Sequence, residues 1–258
     1  MIYYRQRRNR MPNWVYNTLT VEGNPEEVIK LKNQVSKPFT NAVETHGVGD
    51  LTYNVKQVTF TNPIFAFHNI YSYKDAGITD EEYAQQPARS GLSPNDPNWW
   101  EETEKLRLID KSWYSWNITN WGTKWDVAVS DDEKYPETQI YSDEPNGENH
   151  VLVYGFNTAW GYPDEALKKL SSQFPTLLFT LSYEEETGWG GEHEYLNGEA
   201  LDGSEYNWKC RECDYEETDE PPYCDICEYD MCPDCGYGEP MEEDREKCEE
   251  HRVEKVGA

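Results

Sequence analysis

Basic side chains are scarce in this chain: 23 Lys and Arg stand against 50 Asp and Glu in 258 residues, a formal charge of −27. That surplus repels polyanions, which excludes a general nucleic-acid-coating role and plain electrostatic adhesion to an anionic membrane. Long apolar runs are missing as well. No window approaches the roughly 18 consecutive apolar residues of a membrane span, and the first 15 residues lack the apolar core of a signal peptide. The expectation is a soluble, cytoplasmic protein without a membrane partner. Cysteine is absent from the first 209 residues, so no disulfide framework can hold that part together. Aliphatic residues are few, and ten Trp and nineteen Tyr take their place. Rings of roughly 150–250 Å² each supply enough buried area to keep the composition apart from that of a disordered chain.

Residues 1–10 carry Arg5, Arg7, Arg8 and Arg10 and read as a separate basic leader, either a plain flexible extension or an arm for an acidic partner or nucleic acid. NWVYNTLTVE, residues 13–22, is a partly alternating strand closed by Gly23. Asn24, Pro25, Glu26 and Glu27 then cap a helix whose stripe of Val28, Leu31 and Val35 runs until Pro38 stops it. Residues 51–73 suit a strand, a break at Pro63 and a loop bearing Phe65, Phe67 and Tyr71. Short helices are expected at Thr79–Gln86 and Trp99–Ile109, inside an insertion over about 74–110. Val127–Val129 reads as the start of a strand, Asp131–Asn149 as an acidic loop and Val151–Phe156 as a strand. Pro163, Asp164 and Glu165 open a second amphipathic helix with Leu167, Leu170 and Phe174 on its stripe. Leu177–Tyr183 follows as a strand, and residues 192–200 as a hairpin turning at Asn197-Gly198. The order approximates β-α-β-β-α-β, an α+β ferredoxin-like sandwich with a helical and loop insertion over residues 11–201.

MPNWVYNTLTVEG, NWGTKWD, FNTAWGYPDEALKKLSSQFP and LSYEEETGWGGE together make residues 11–200 similar to the YubB-type ferredoxin-like domain family of phage and conjugative-plasmid proteins. The resemblance implies a mobile-element protein in a bacterial cytoplasm. It implies no reaction and no ligand, because fold transfers and function does not.

Four tryptophans crowd the segment 113–126. Trp113, Trp116, Trp121 and Trp125, with Lys124, Asp126, Asn117 and Asn120, are a candidate binding surface in which rings supply area and polar groups fix orientation. The competing reading is a packed core whose indole N–H groups bond to backbone carbonyls. No catalytic residue is assigned. The carboxylates stand in no recognisable pairing, Gly188-Trp189-Gly190-Gly191 is not followed by the Lys-Ser or Lys-Thr of a phosphate loop, and the histidines have no partner visible in sequence.

All seven cysteines lie in the region 202–258, as Cys210-x2-Cys213, Cys224-x2-Cys227, Cys232-x2-Cys235 and Cys248-x2-His251. Four two-residue gaps present eight donors, the number that two tetrahedral Zn²⁺ ions require. The odd cysteine count and the histidine in the eighth position oppose disulfides, and the closed donor set favours structural zinc over iron. A tail this short and poor in aliphatics cannot bury enough surface alone, so metal would supply much of its folding free energy. PYCDICEYDMCPDC resembles a ZZ-type finger. That resemblance implies interleaved ligation, with Cys210, Cys213, Cys232 and Cys235 on one ion and Cys224, Cys227, Cys248 and His251 on the other. The final Cys-x2-His departs from the ZZ pattern and leaves a sequential arrangement open.

The leading functional expectation is a phage-encoded, non-enzymatic protein that binds host or antiviral-defence proteins, with the acidic binuclear zinc finger as docking module. One alternative is an acidic DNA mimic that blocks a DNA-binding host protein. Another is single-stranded nucleic-acid binding through a Trp-rich sheet, against which the net charge weighs.

Overall fold

The computed structural model describes residues 13–46, 53–128 and 137–209, with the backbone of 216–217, 223–224 and 229–230. Its first strand, β1 (Trp14–Gly23), alternates as the sequence requires: Val15, Asn17, Leu19 and Val21 are buried while Tyr16 and Thr18 are exposed. Helix α1 (Pro25–Val35) begins where the Asn24 side chain accepts from the Glu26 N–H at 2.9 Å, and it buries Val28, Leu31 and Val35.

The chain then leaves the main sheet. A separate antiparallel hairpin, β2 (Phe39–His46) with β3 (Tyr53–Phe60), is followed by a 3-10 turn at Phe67–Asn69. Three helices come next: α2 (Asp80–Tyr83), closed by a Thr79–Glu82 capping box, α3 (Trp99–Ile109) and α4 (Trp113–Trp121). The excursion from the core therefore runs from the end of α1 to residue 138, wider than the 74–110 read from sequence, because among the described residues the 53–60 strand pairs with β2 alone.

The chain rejoins the sheet with β4 (Gln139–Asn146) and β5 (Asn149–Ala159). Helix α5 (Asp164–Gln173) buries Ala166, Leu167, Leu170 and Ser171, and β6 (Leu178–Glu185), β7 (Gly190–Leu196) and β8 (Glu199–Tyr206) follow. The six strands lie in the order β4-β5-β1-β6-β7-β8, each pair antiparallel. Within it, β4-β5-β1-β6 with α1 and α5 is the ferredoxin-like arrangement, and β7 and β8 extend it beyond β6. Two expectations are corrected. Val127 and Ala128 belong to no strand, and most of the acidic stretch 131–149 that can be described is strand β4 and its turn rather than loop. An edge strand exposed on both faces shows no period-two burial to read.

Both helices pack on one face of the sheet, where Leu19, Leu31, Leu152, Phe156, Leu167 and Phe179 are wholly buried. The excursion adds Phe65, Phe67, Tyr73, Tyr83, Trp116 and Trp121 to that same core. After β8 come two short ladders, β9 (Trp208–Lys209) with β10 (Glu216–Glu217), and β11 (Tyr223–Cys224) with β12 (Tyr229–Asp230). No helix among the described residues is long and apolar enough to cross a membrane.

Candidate functional site

The tryptophan block divides. Trp116 and Trp121 are core residues, with Trp121 edge-on to Trp116 at 5.3 Å and its Nε1–H donating to the Tyr71 carbonyl at 2.9 Å. Asp126 is a backbone clamp: its carboxylate accepts from the N–H groups of Phe67 and His68 at 2.9 Å and of Ala128 at 3.1 Å. Asn117 is likewise spent inside, accepting from Tyr83 Oη at 2.9 Å and donating to the Lys124 carbonyl at 2.9 Å. Asn120 accepts from Lys169 Nζ at 3.1 Å. Trp113, Lys124 and Trp125 stay half-buried, where Lys124 Nζ lies 4.6 Å from the Trp125 ring centre and 5.9 Å from that of Trp113. These residues sit on α4 and the chain after it. Of the ten tryptophans only Trp14 lies in the six-stranded sheet, which removes the Trp-rich sheet expected from sequence.

The face of that sheet turned away from the helices is the candidate interaction surface. Strand alternation places Tyr16, Thr18, Ser182, Glu184 and Glu192 there, all exposed. Register aligns Gly155, Thr18, Ser182, Glu192 and Ser204 in one row across five strands. Tyr141 lies over Gly155, because a Cβ at that glycine would stand 2.2 Å from its ring. Tyr141 remains 58% and Tyr16 49% exposed, so the two phenols are the large apolar surfaces of this face. Its charges have one sign. The six strands contain no Lys or Arg, and alternation and register put Glu22, Glu144, Glu184, Glu192, Glu194 and Glu199 on this face, while Asp143, Glu185 and Glu205 belong to the face that carries the helices.

On the opposite face a polar group was missed by sequence reasoning. One oxygen of Glu205 takes hydrogen bonds from Tyr183 at 3.0 Å, Tyr162 at 3.2 Å and His193 Nε2 at 3.0 Å. An ionised carboxylate only accepts, so the His193 proton sits on Nε2. These bonds hold Glu205 below the usual carboxylate range, and burial lifts both phenols above theirs. The donors are committed to one acceptor, which suits an anchor for β8 rather than a reaction centre. The sequence signal was small: Gly191 and Gly203 stand where any side chain would strike Tyr183 Oη at 2.9 Å or His193 Nδ1 at 2.2 Å.

The eight expected zinc ligands fall outside the described residues except for the backbone of Cys224. Among the described residues no group of three or more His, Cys, Asp and Glu is placed to hold a metal. The two short ladders nevertheless frame the first two cysteine pairs. Lys209 pairs with Glu216 across the sequence containing Cys210 and Cys213, and Cys224 pairs with Tyr229 across that containing Cys227.

Residues 137–224 match the family model described as a ferredoxin-like domain in Api92-like protein. The stretch runs from just before β4 to β11, and β1 and α1 complete the fold in space. The ferredoxin-like reading thus stands on an Api92-like rather than a YubB-type match. The crystal structure of protein Api92 from Yersinia pseudotuberculosis is similar over 78% of this chain and 100% of its own, at 11% identity and a TM-score of 0.38. No curated protein matches the chain.

Proposed function

We propose that this chain is a non-enzymatic binding protein whose open sheet face receives a Lys- and Arg-rich segment of a partner protein. The observation that supports it is the charge of that face: six carboxylates, with no Lys or Arg in any of the six strands. Tyr16 and Tyr141 add rigid amphipathic area of the kind that anchors protein interfaces. A nucleic acid laid on the same face would bring phosphates to carboxylates with no cation to replace its counterions. The C-terminal Cys and His residues belong to the same proposal as a zinc-held second contact, with two structural Zn²⁺ ions. We infer a host or antiviral-defence protein as the partner and a bacterial cytoplasm as the setting, in keeping with the mobile-element origin that the sequence resemblance implies.

The test compares proteins captured from a bacterial lysate by the wild type, by the sheet variant Glu184→Lys/Glu192→Lys, and by Cys224→Ser. The proposal requires a basic partner that the sheet variant loses and that high salt releases. Retention of the same partners by the charge-reversed sheet overturns it. The same carboxylates suit DNA mimicry when the partner's own ligand is DNA, and competition with duplex DNA for the captured protein distinguishes that case.

A further inference from the structure

Lysines among the described residues usually have an acid beside them. Lys30, Lys32, Lys74, Lys105, Lys111 and Lys168 each lie within 4.0 Å of a carboxylate. Lys124 does not. Its ammonium, half-buried, faces ring systems instead: Trp125 at 4.6 Å, Tyr114 at 5.8 Å and Trp113 at 5.9 Å, the last two near the outer limit of a cation–π contact. Trp14 lies 5.8 Å from Trp125 and closes the group. All five side chains are half-buried, so each keeps part of its surface in solvent.

The cluster is also held rigidly. Gly122 ends α4 with φ +83°, a conformation that lets the chain double back beneath Tyr162. Thr123 Oγ1 then donates to the Ala159 carbonyl at 3.0 Å and accepts from the Ala159 N–H at 3.2 Å. Asn117 holds the Lys124 carbonyl, and Asp126 pins the next turn. At the start of α4, Ser112 and Ser115 donate to Asp110 at 2.7 and 2.8 Å and fix the turn that carries Trp113 and Tyr114. Little ordering is left for a ligand to impose. The overall −27 does not forbid an anion here, because charges beyond about 10 Å are screened and no carboxylate among the described residues pairs with Lys124.

We propose that Lys124 with Trp14, Trp113, Tyr114 and Trp125 forms a binding site for a small organic anion carrying a planar ring, of the nucleoside monophosphate class. The ammonium meets the phosphate, and the indoles pack against the base. Trp14 precedes Tyr16 by two residues on β1, so the site adjoins one end of the open sheet face, but its ligand and its test are independent of that face.

Isothermal titration calorimetry and tryptophan fluorescence of the full chain, with adenosine 5′-monophosphate as probe, test the site. Adenosine and inorganic phosphate serve as the two half-ligands. The expected result is one AMP per chain, bound at least about tenfold more tightly than either half, with binding lost in Lys124→Met and kept in Lys124→Arg. Adenosine binding as tightly as AMP, unchanged AMP affinity in Lys124→Met, or no response up to about 10 mM AMP overturns the proposal. Should Lys124→Met fail to fold, Trp113→Leu is titrated instead, and unchanged AMP affinity there overturns it equally.

Discussion

The phenol of Tyr183 on β6 reaches over the middle strand β7 to donate a 3.0 Å hydrogen bond to Glu205 on β8. It can do so because Gly191 pairs with both strands at that level, opposite Tyr183 on one side and Glu205 on the other. A Cβ at Gly191 would stand 2.4 Å from the Ser204 carbonyl oxygen and 2.9 Å from Tyr183 Oη. Gly191→Ala is therefore expected to cost about 1–3 kcal/mol, the usual range for overpacking, since backbone as well as a side chain must move. Urea unfolding compared with Tyr183→Phe checks the cause. If the lost contact dominates, the two changes together should cost clearly less than their sum.

The elements that were legible in the sequence are those whose burial is periodic and whose ends are capped. Helix α1 follows Asn24-Pro25, α3 spans Trp99–Ile109 as expected, and the β7–β8 turn falls at Asn197-Gly198. Strand β4 was illegible because QIYSDEPN exposes Ile140 and Tyr141 together, with a register shift between Ile140 and Ser142. The tryptophan block stayed open between core and surface for a different reason. Density of rings reports that area is available but not which face it covers, and α4 buries Trp116 and Trp121 while leaving Trp113 half open. Glu205 and His193 could not be joined without the register of β7 on β8, which pairs His193 with Gly203.

Asp126 gives a second prediction. It lies 58 and 59 residues from the N–H groups of His68 and Phe67 and is their side-chain acceptor. Asp126→Ala leaves those donors without an acceptor and is expected to destabilise the excursion by about 2–4 kcal/mol. Asp126→Asn keeps one acceptor oxygen and should cost less. Hydrogen exchange at the Phe67 and His68 amides measures this directly, and unchanged protection in Asp126→Ala would show that other groups hold the turn.

His68 sets a pH dependence. Its ring is stacked on Phe39 at 4.3 Å, and burial, followed by the charge of Lys74, lowers its pKa to about 4. Asp75 opposes the shift. The unfolded chain protonates this histidine near pH 6.5, and the folded chain resists doing so until about pH 4. The folded state thus binds fewer protons over that window, and stability is whole above about 6.5 and falls as the pH drops toward 4. A shift of this size corresponds to about 3 kcal/mol as an upper figure. His68→Phe keeps the stack and removes the titration. The difference in unfolding free energy between wild type and His68→Phe should change with pH across this window and be flat above it. A difference that is flat throughout would show that the ring is open to water.

The cysteine-rich tail carries the last prediction, which concerns both metal content and wiring. Under the proposed ligation, eight donors in four pairs hold two Zn²⁺ ions per chain, so elemental analysis of the purified protein should return two. If metal orders the tail as proposed, chelation should expose residues 210–251 to protease while leaving the thermal transition of the six-stranded sheet, which rests on its own core, in place. Truncation after Asp230 then separates the two arrangements. Sequential ligation keeps Cys210, Cys213, Cys224 and Cys227 together and retains one zinc. Interleaved ligation divides both sites, since Cys232 and Cys235 leave the first and Cys248 and His251 the second, and the truncated chain binds none with comparable affinity. The pairing of Cys224 with Tyr229 survives in sequence in either case, so loss of zinc from the truncated chain reports the missing ligands and not a missing hairpin.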